Sequence, residues 1–169
     1  AYNFLNDDFG EVYLYDNFDT YTNLSFKVKT KDKNYIIYAI KGSISYDDKL
    51  EQCFAKQKEI EKEFSSIFKD VKKNKDTYEF PWDPTGESVT HNIKFNLDEG
   101  HTISVNCTKY KKSLKIENNW RDALQVLIQS KEVIDWFKYM TVCDSAESLR
   151  KPGTVGRAVE GARVKALDS

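Results

Sequence analysis

An amphipathic helix over residues 47–71 is the feature that most constrains what this chain can fold into. Its apolar residues recur at spacings of three, four or seven, which places them on one stripe of an α-helix. They are Leu50, Cys53, Phe54, Ile60, Phe64, Ile67, Phe68 and Val71. Charged residues such as Lys56, Glu59 and Lys62 occupy the positions between them. Because such a stripe must be buried against another element, the helix predicts a sheet for it to pack on.

Strand patterns flank this helix on both sides. Before it, residues 11–15 form a short candidate strand, residues 24–28 alternate apolar with polar, and residues 35–44 are rich in Ile and Tyr. After it, apolar and polar residues alternate strictly over residues 89–97 and again over residues 103–107, on either side of a tight Asp-Glu-Gly loop. This second pair of segments predicts a β-hairpin.

The remaining segments complete the predicted order of elements. Residues 72–88 are interpreted as a long connection and residues 108–119 as a polar loop or ragged edge. Residues 123–129 are interpreted as a short strand, and Ser130 as the start of a final helix that carries Val133, Ile134, Phe137 and Met140. The order predicts an α+β fold, with a single antiparallel sheet of five to six strands, the long helix packed on one face and a short C-terminal helix.

Composition divides the chain into a domain and a tail. Residues 1–140 are predicted to form one domain, which suits a total length of 169 residues. Residues 141–169 contain no Phe, Tyr, Trp, Ile or Asn, and they carry three of the four arginines. This shift indicates an extension of artificial origin, a flexible natural tail, or a docking peptide built on Val159, Val164 and Leu167.

Charge and hydropathy exclude several classes of partner. The formal net charge is −1, so nothing in the sequence favours binding to nucleic acid or to an anionic membrane. No apolar run approaches the roughly 20 residues that a membrane-spanning helix needs. The sequence begins at Ala1 without a basic and apolar leader, as expected of a cytosolic chain or of one already processed.

Two of the three cysteines are expected to meet in the core. Cys53 lies on the buried stripe of the long helix, and Cys107 is in phase with Ile103 and Val105 on a hairpin strand. If the helix packs on that strand, the two sulfurs can form a disulfide. The alternative is two buried free thiols that act as small apolar side chains. Cys143 is left over in the tail.

The sequence offers little support for catalysis or for a cofactor. A thiol enzyme would use Cys107 with His91 or His101, yet no Cys-Gly or Gly-x-Ser-x-Gly motif accompanies them. The histidines and cysteines lack the close spacings of zinc sites, and the loop carboxylates do not match a calcium loop. No glycine-rich loop precedes a helix. The sequence therefore predicts no catalytic residues, no metal and no cofactor.

The most suggestive segment for binding is the loop that follows the central helix. Tyr78, Phe80 and Trp82 lie within five residues and are interleaved with Pro81 and Pro84. Trp and Tyr are enriched at binding hot spots, and prolines stiffen a loop. The alternative is that these rings fold back onto the core. A sheet edge near Tyr110 is a second candidate contact.

Five segments resemble a group of small, uncharacterised exported bacterial proteins over residues 23–137. They are KDKNYIIYAIKGSISY, the Cys53 helix ending in SSIF, the loop DPTGES, the strand ISVNC and the closing QVLIQSKEVIDWF. In that group a leader precedes the domain and two cysteines recur. The resemblance implies export and the pairing of Cys53 with Cys107, and it implies no activity.

Together these patterns predict an exported, non-enzymatic module, periplasmic or secreted, that binds a protein or a cell-envelope partner. The alternatives are a small thiol-dependent hydrolase and an accessory subunit of a larger assembly that docks through its C-terminal tail.

The aromatic loop gives a direct test. If Trp82 contacts a partner, Trp82→Ala weakens partner capture and leaves the melting temperature unchanged, because the side chain contributes no packing to the core. Thermal unfolding and a pull-down on the same preparation measure both quantities. A variant that melts several degrees lower would place Trp82 in the core and remove it from the predicted site.

Overall fold

The computed structural model describes residues 2–3, 8–14, 18–34, 36–81 and 83–138. Two compact units are present. Ala1–Ser130 contains the sheet, and a second unit begins at Lys131 with a helix over residues 131–138. The predicted helix after Ser130 is therefore confirmed over these residues. Met140, the predicted boundary at residue 140 and the predicted tail lie outside the described residues.

One antiparallel sheet of eight strands forms the first unit. In space the strands run β1-β2-β3-β4-β8-β7-β6-β5. Their bounds are β1 Tyr2–Asn3, β2 Phe9–Leu14, β3 Asn23–Lys29, β4 Ile37–Ser45, β5 Lys72–Glu79, β6 Val89–Asn96, β7 Thr102–Lys109 and β8 Ala123–Gln129. The helices of this unit are α1 Leu50–Ile67 and α2 Lys112–Asn118, and a 3-10 turn at Asp98–Gly100 joins β6 to β7.

The predicted α+β class and the antiparallel sheet are confirmed, and the predicted number of strands is wrong. Seven strands contain six to nine residues each, and the two-residue β1 adds to the edge of the sheet. The six predicted strands correspond to β2, β3, β4, β6, β7 and β8. The strands that the prediction missed are β1 and β5, which are the two outermost in the sheet.

Strand β5 corrects the interpretation of residues 72–88 as a long connection. All eight residues of β5 are exposed, so the strand shows no apolar alternation from which it could be recognised. It is held by pairing along its whole length with β6. Two ion pairs add to this, since Lys73 Nζ and Lys75 Nζ lie 2.6 and 2.7 Å from the carboxylate of Glu61 on α1.

Helix α2 corrects the interpretation of residues 108–119 as a loop. Its seven residues are polar apart from Leu114 and Ile116, and none of them is buried. The helix ends at Asn119, which adopts a left-handed conformation with φ of 53°. Lys115 Nζ fixes it to the sheet by ion pairs with Asp48 at 2.7 Å and the buried Asp122 at 2.6 Å.

Helix α1, Leu50–Ile67, is shorter at both ends than the predicted 47–71, and it packs on the central strands through most of the predicted stripe; Ile67 is 66% exposed, so it is not part of the buried face. Cys53 and Ile60 join Val105, Cys107, Leu124 and Val126 in one buried cluster, to which Phe54 and Phe64 add. Phe64 also contacts a second cluster of Ile93, Phe95 and Ile103. The buried Gln57 is satisfied there, because its Nε2 donates to the carbonyl oxygens of His91 at 2.9 Å and Val105 at 2.7 Å. The helix therefore rests on β6, β7 and β8.

A disulfide between Cys53 and Cys107 fixes α1 to β7. The two Cα atoms lie 6.0 Å apart, within the usual range for a disulfide. Both residues are almost fully buried, at 1% and 0% exposure. Of the two alternatives that the sequence leaves open, the pair is therefore the disulfide and not two free thiols.

Removal of the disulfide by Cys53→Ala together with Cys107→Ala should lower the free energy of unfolding by about 4 kcal/mol. The bond joins residues 54 apart, and closing a loop of that length restricts the unfolded chain by about that amount. Urea unfolding of the oxidised protein and the double variant measures the difference. Reductant should affect the oxidised protein and leave the variant unchanged. A variant as stable as the oxidised protein would show that packing alone holds α1 to β7.

Candidate functional site

Three aromatic rings from separate segments meet at one end of the sheet. Phe80 follows β5, Tyr110 follows β7 and Trp120 precedes β8. The ring centroids are 5.0 Å apart for Phe80 and Tyr110, 5.7 Å for Phe80 and Trp120, and 5.1 Å for Tyr110 and Trp120. Two of the four predicted contact residues, Phe80 and Tyr110, are therefore brought together, and Trp120 adds a third ring.

The other two predicted contact residues are placed differently. Tyr78 lies on β5 with 38% of its surface exposed. Trp82 lies outside the described residues. Burial raises the pKa of Tyr110 to about 12. Partner binding by Tyr78, Phe80, Trp82 and Tyr110 stays a prediction.

A buried carboxylate, Asp83, organises the loop that follows Phe80. Asp83 accepts hydrogen bonds from Thr85 N at 3.0 Å, Thr85 Oγ1 at 2.6 Å and Ser88 N at 2.7 Å. The hydrogen bonds from Thr85 and Ser88 hold the pKa of Asp83 well below its usual range. Ser88 Oγ in turn accepts from Lys111 N at 2.8 Å, which ties the loop to the start of α2. The described part of the loop is thus held in a single shape.

Among the residues that the structure describes, neither predicted histidine lies beside a free thiol. Cys107 is opposite His91 in the pairing of β6 with β7, but its sulfur is bonded to Cys53. His91 Nδ1 lies 3.0 Å from Thr77 Oγ1, and its ring packs edge-on against Phe54. His101 Nε2 lies 3.6 Å from a carboxylate oxygen of Glu99 in the turn between β6 and β7.

A groove of about 410 Å³ lies between α1 and strands β5 and β6. Most of its polar lining groups are engaged. Thr77 bonds His91, Lys75 pairs with Glu61, and Gln57 donates to two backbone carbonyls. Asn92 Nδ2 donates to Asp76, whereas the buried Asn92 Oδ1 has no hydrogen-bond partner among the described residues. Within the described ranges, no group of three or more His, Cys, Asp or Glu side chains could hold a metal ion.

A buried charge cluster joins β2, β3 and β4. Glu11 accepts from Ser25 Oγ at 2.6 Å, and its carboxylate lies 3.0 Å from Lys27 Nζ and 3.2 Å from Lys41 Nζ. Burial opposes the charge of Glu11, but the charges of Lys41 and Lys27 and the bond from Ser25 outweigh it and lower its pKa from 4.5 to about 2. No sequence pattern marked these residues, because alternation at a strand does not reveal which polar residues are buried.

Two rows of apolar side chains run across the sheet on the same face as α1. Strand register places residues directly opposite one another, and opposite residues share a face. The first row is Val12, Phe26, Ile40, Ile128, Ile103 and Phe95. The second row is Leu14, Leu24, Gly42, Val126, Val105 and Ile93. Both rows extend beyond the strands that α1 contacts.

Exposure changes sharply along these rows. Ile103, Phe95, Val105 and Ile93 are at most 5% exposed, because they lie under α1. Ile128, Ile40 and Leu14 are 41%, 38% and 43% exposed. We name the six apolar residues at this end the sheet-face patch: Val12, Leu14, Leu24, Phe26, Ile40 and Ile128. Val12, Leu24 and Phe26 are half-buried, and the other three are exposed. Scattered single apolar residues are ordinary at a protein surface, whereas contiguous ones indicate an interaction site.

Comparison with known proteins adds no assignment. No protein family, curated protein or solved structure matches this chain. None of the helices in the described ranges is long and apolar enough to cross a membrane.

The charge cluster predicts how stability depends on pH. The pKa of Glu11 is lower in the folded state, so its contribution to stability is complete above pH 4.5 and disappears as the pH falls towards 2. Glu11→Gln should lower the free energy of unfolding at pH 7 by about 3 kcal/mol and flatten its pH dependence in that window. Urea unfolding at a series of pH values measures both effects.

The exposed Glu63 of α1 supplies the matched control. Glu63→Gln should leave the unfolding curves close to those of the unaltered protein. An equal and small effect of both substitutions would show that the Glu11 cluster adds no net stability.

Proposed function

We propose that this protein is a non-enzymatic binding module that docks a protein partner on the sheet-face patch. The observation that carries the proposal is the change in exposure within one apolar row, from 3% at Ile103 to 41% at the neighbouring Ile128. Apolar and polar residues alternate over β2, β3 and β4, which gives these strands one apolar face. Helix α1 covers only the part of that face formed by β6, β7 and the end of β8 that contains Leu124 and Val126. A further apolar surface from another molecule would complete the burial.

The chemistry of the sheet-face patch favours a folded protein surface over a small polar ligand. Its side chains are aliphatic apart from Phe26, and they offer no hydrogen-bonding group. Gly42 lies within the second row, where the ring of Tyr21 comes within 2.6 Å of the position that a Cβ would occupy. The ring of Tyr21 therefore covers Gly42 on this face, and an apolar protein surface can pack on the patch residues beside it as one sheet face packs on another.

The aromatic loop supports a second contact in the same proposal. The rings of Phe80, Tyr110 and Trp120 pack on one another, and Asp83 accepts hydrogen bonds from the loop backbone, so this end of the sheet is ordered before a partner binds. We propose that Tyr78 at the end of β5 and Trp82 contact the partner there.

Export to an oxidising compartment is the proposed location. The Cys53–Cys107 disulfide is compatible with a periplasmic or secreted protein, because such bonds persist where thiols are not continually reduced. The resemblance to exported bacterial proteins supports the same location. The partner is then a protein of the cell envelope or of the surrounding medium.

The thiol-dependent hydrolase is the weaker alternative. It requires a free Cys107, and that sulfur is bonded to Cys53. The accessory-subunit alternative depends on residues 141–169, which lie outside the described residues.

Substitution within the sheet-face patch tests the proposal. Ile40→Asn and Ile128→Asn each place a polar group where an apolar partner surface would pack, so we expect partner affinity to fall at least about tenfold. The partner is first captured from the source organism on the immobilised protein and purified. The variants are then titrated against it by calorimetry.

Ile116 of α2 provides the matched control, since it is an isoleucine with 73% exposure outside the patch. Ile116→Asn should bind as the unaltered protein does, and thermal unfolding should show all three variants folded. Equal affinity of the two patch variants and the control would contradict docking at this surface.

A further inference from the structure

The outer edge of β5 is an open strand edge with an ordered pattern of charge. Lys72–Glu79 is the last strand in the sheet and pairs on its inner side with β6, without a register shift. In the described part of the chain no strand pairs with its outer side. Lys72, Lys73 and Lys75 lie in its first half, and Asp76 and Glu79 lie in its second half.

The ladder itself identifies the backbone groups that point outward. Phe80 N donates to Ser88 O at 2.7 Å, which continues the pairing of β5 with β6 by one residue. Because hydrogen-bonded and non-hydrogen-bonded pairs alternate along an antiparallel ladder, Tyr78, Asp76, Asn74 and Lys72 also direct their backbone groups to β6. The residues between them, Lys73, Lys75, Thr77 and Glu79, direct their N–H and C=O groups away from the sheet.

We propose that a second copy of this chain binds this edge, so that two β5 strands pair antiparallel about a two-fold axis. Such pairing brings the basic half of one strand against the acidic half of the other. Parallel pairing in register would instead place each lysine beside its own counterpart. A two-fold contact also closes on itself and leaves no further β5 edge open, so the assembly is a dimer of two eight-stranded sheets.

Charge selects one register among those that the backbone allows. An outward-pointing residue must face another outward-pointing residue. If the two-fold axis passes through Lys75, that lysine lies opposite Lys75 of the second copy. If the axis passes through Asp76, the two Asp76 carboxylates lie opposite each other. Like charges directly opposite each other are destabilising. If the axis passes through Thr77, Lys75 lies opposite Glu79 of the second copy, and Glu79 lies opposite Lys75 of the second copy. No like charges are then opposite each other.

The side chains of this register are available for the contact. Lys75 Nζ lies 2.7 Å from Glu61, yet 59% of the lysine side chain is exposed. Glu79 is exposed on the same face of the strand as Lys75. Edge strands often carry lysines that prevent pairing with other chains. That protective role is the competing explanation, and it predicts a monomer.

Charge reversal in the full chain separates these explanations. Sedimentation velocity at low salt, from micromolar to near-millimolar protein, should show a monomer–dimer equilibrium for the unaltered chain. Lys75→Glu and Glu79→Lys each set like charges against one another at both ends of the pairing, so each should weaken the dimer about tenfold or more. The double variant, with both substitutions, restores opposite charges and should recover most of the lost affinity.

Lys33→Glu is the matched control, since Lys33 is an exposed lysine in the connection between β3 and β4, at the other end of the strand order. It should leave the dimer unchanged, and circular dichroism should confirm that every variant is folded. A chain that stays monomeric throughout would overturn the proposal. So would a dimer that the single reversals do not weaken, or one that the double reversal does not restore.

Discussion

The attachment of α1 to the centre of the sheet is the interaction on which the rest of this structure depends. Cys53 and Cys107 join the helix to β7 at a point where neither residue is more than 1% exposed. Around that bond, Val105, Leu124 and Phe95 are also at most 1% exposed. Strands β8 and β6 pair directly with β7, and β4 and β5 pair with those two strands in turn. Burial beneath α1 therefore stabilises the five strands from β4 to β5.

A single helix cannot cover a sheet of this width. A helix with its side chains is roughly 10 Å wide, and neighbouring strands lie about 4.8 Å apart, so one helix covers two or three strands. Helix α1 covers β6, β7 and the part of β8 that contains Leu124 and Val126, where the apolar rows are buried. The same rows continue from Ile128 of β8 over β4, β3 and β2 as the sheet-face patch. Geometry thus explains why the chain has more apolar sheet surface than its own long helix can bury.

Local patterns predicted much of this arrangement from the sequence. The spacing of Cys53, Ile60 and Phe64 predicted α1, and strict alternation predicted the hairpin of β6 and β7. The shared phase of Cys107 and Val105 placed the cysteine on the core side of its strand. These predictions succeeded because each depends on a repeat of 3.6 or 2 residues within one buried element.

The elements that were missed have no such repeat. All eight residues of strand β5 are exposed, and the strand is ordered by its pairing with β6 and by ion pairs with Glu61 of α1, neither of which leaves a repeat in its own sequence. Helix α2 is short and has no buried residue. For the candidate site, alternation placed Phe26 on the apolar face of its strand, and the richness in Ile placed Ile40 in a strand. Neither pattern predicted whether another element covers that face. Whether another element buries the apolar face of a strand depends on how the whole molecule packs, so it could not be predicted from the pattern of a single strand.

The central claim is that α1 leaves the sheet-face patch accessible while it buries the rest of the same rows. Methyl NMR of the isoleucines in the presence of a soluble paramagnetic agent tests it most directly, because the agent broadens only methyl groups that it can approach. The account predicts strong broadening for Ile40 and Ile128 and little for Ile93 and Ile103. Equal protection of all four methyl groups would contradict it, since the patch would then be covered within the chain itself.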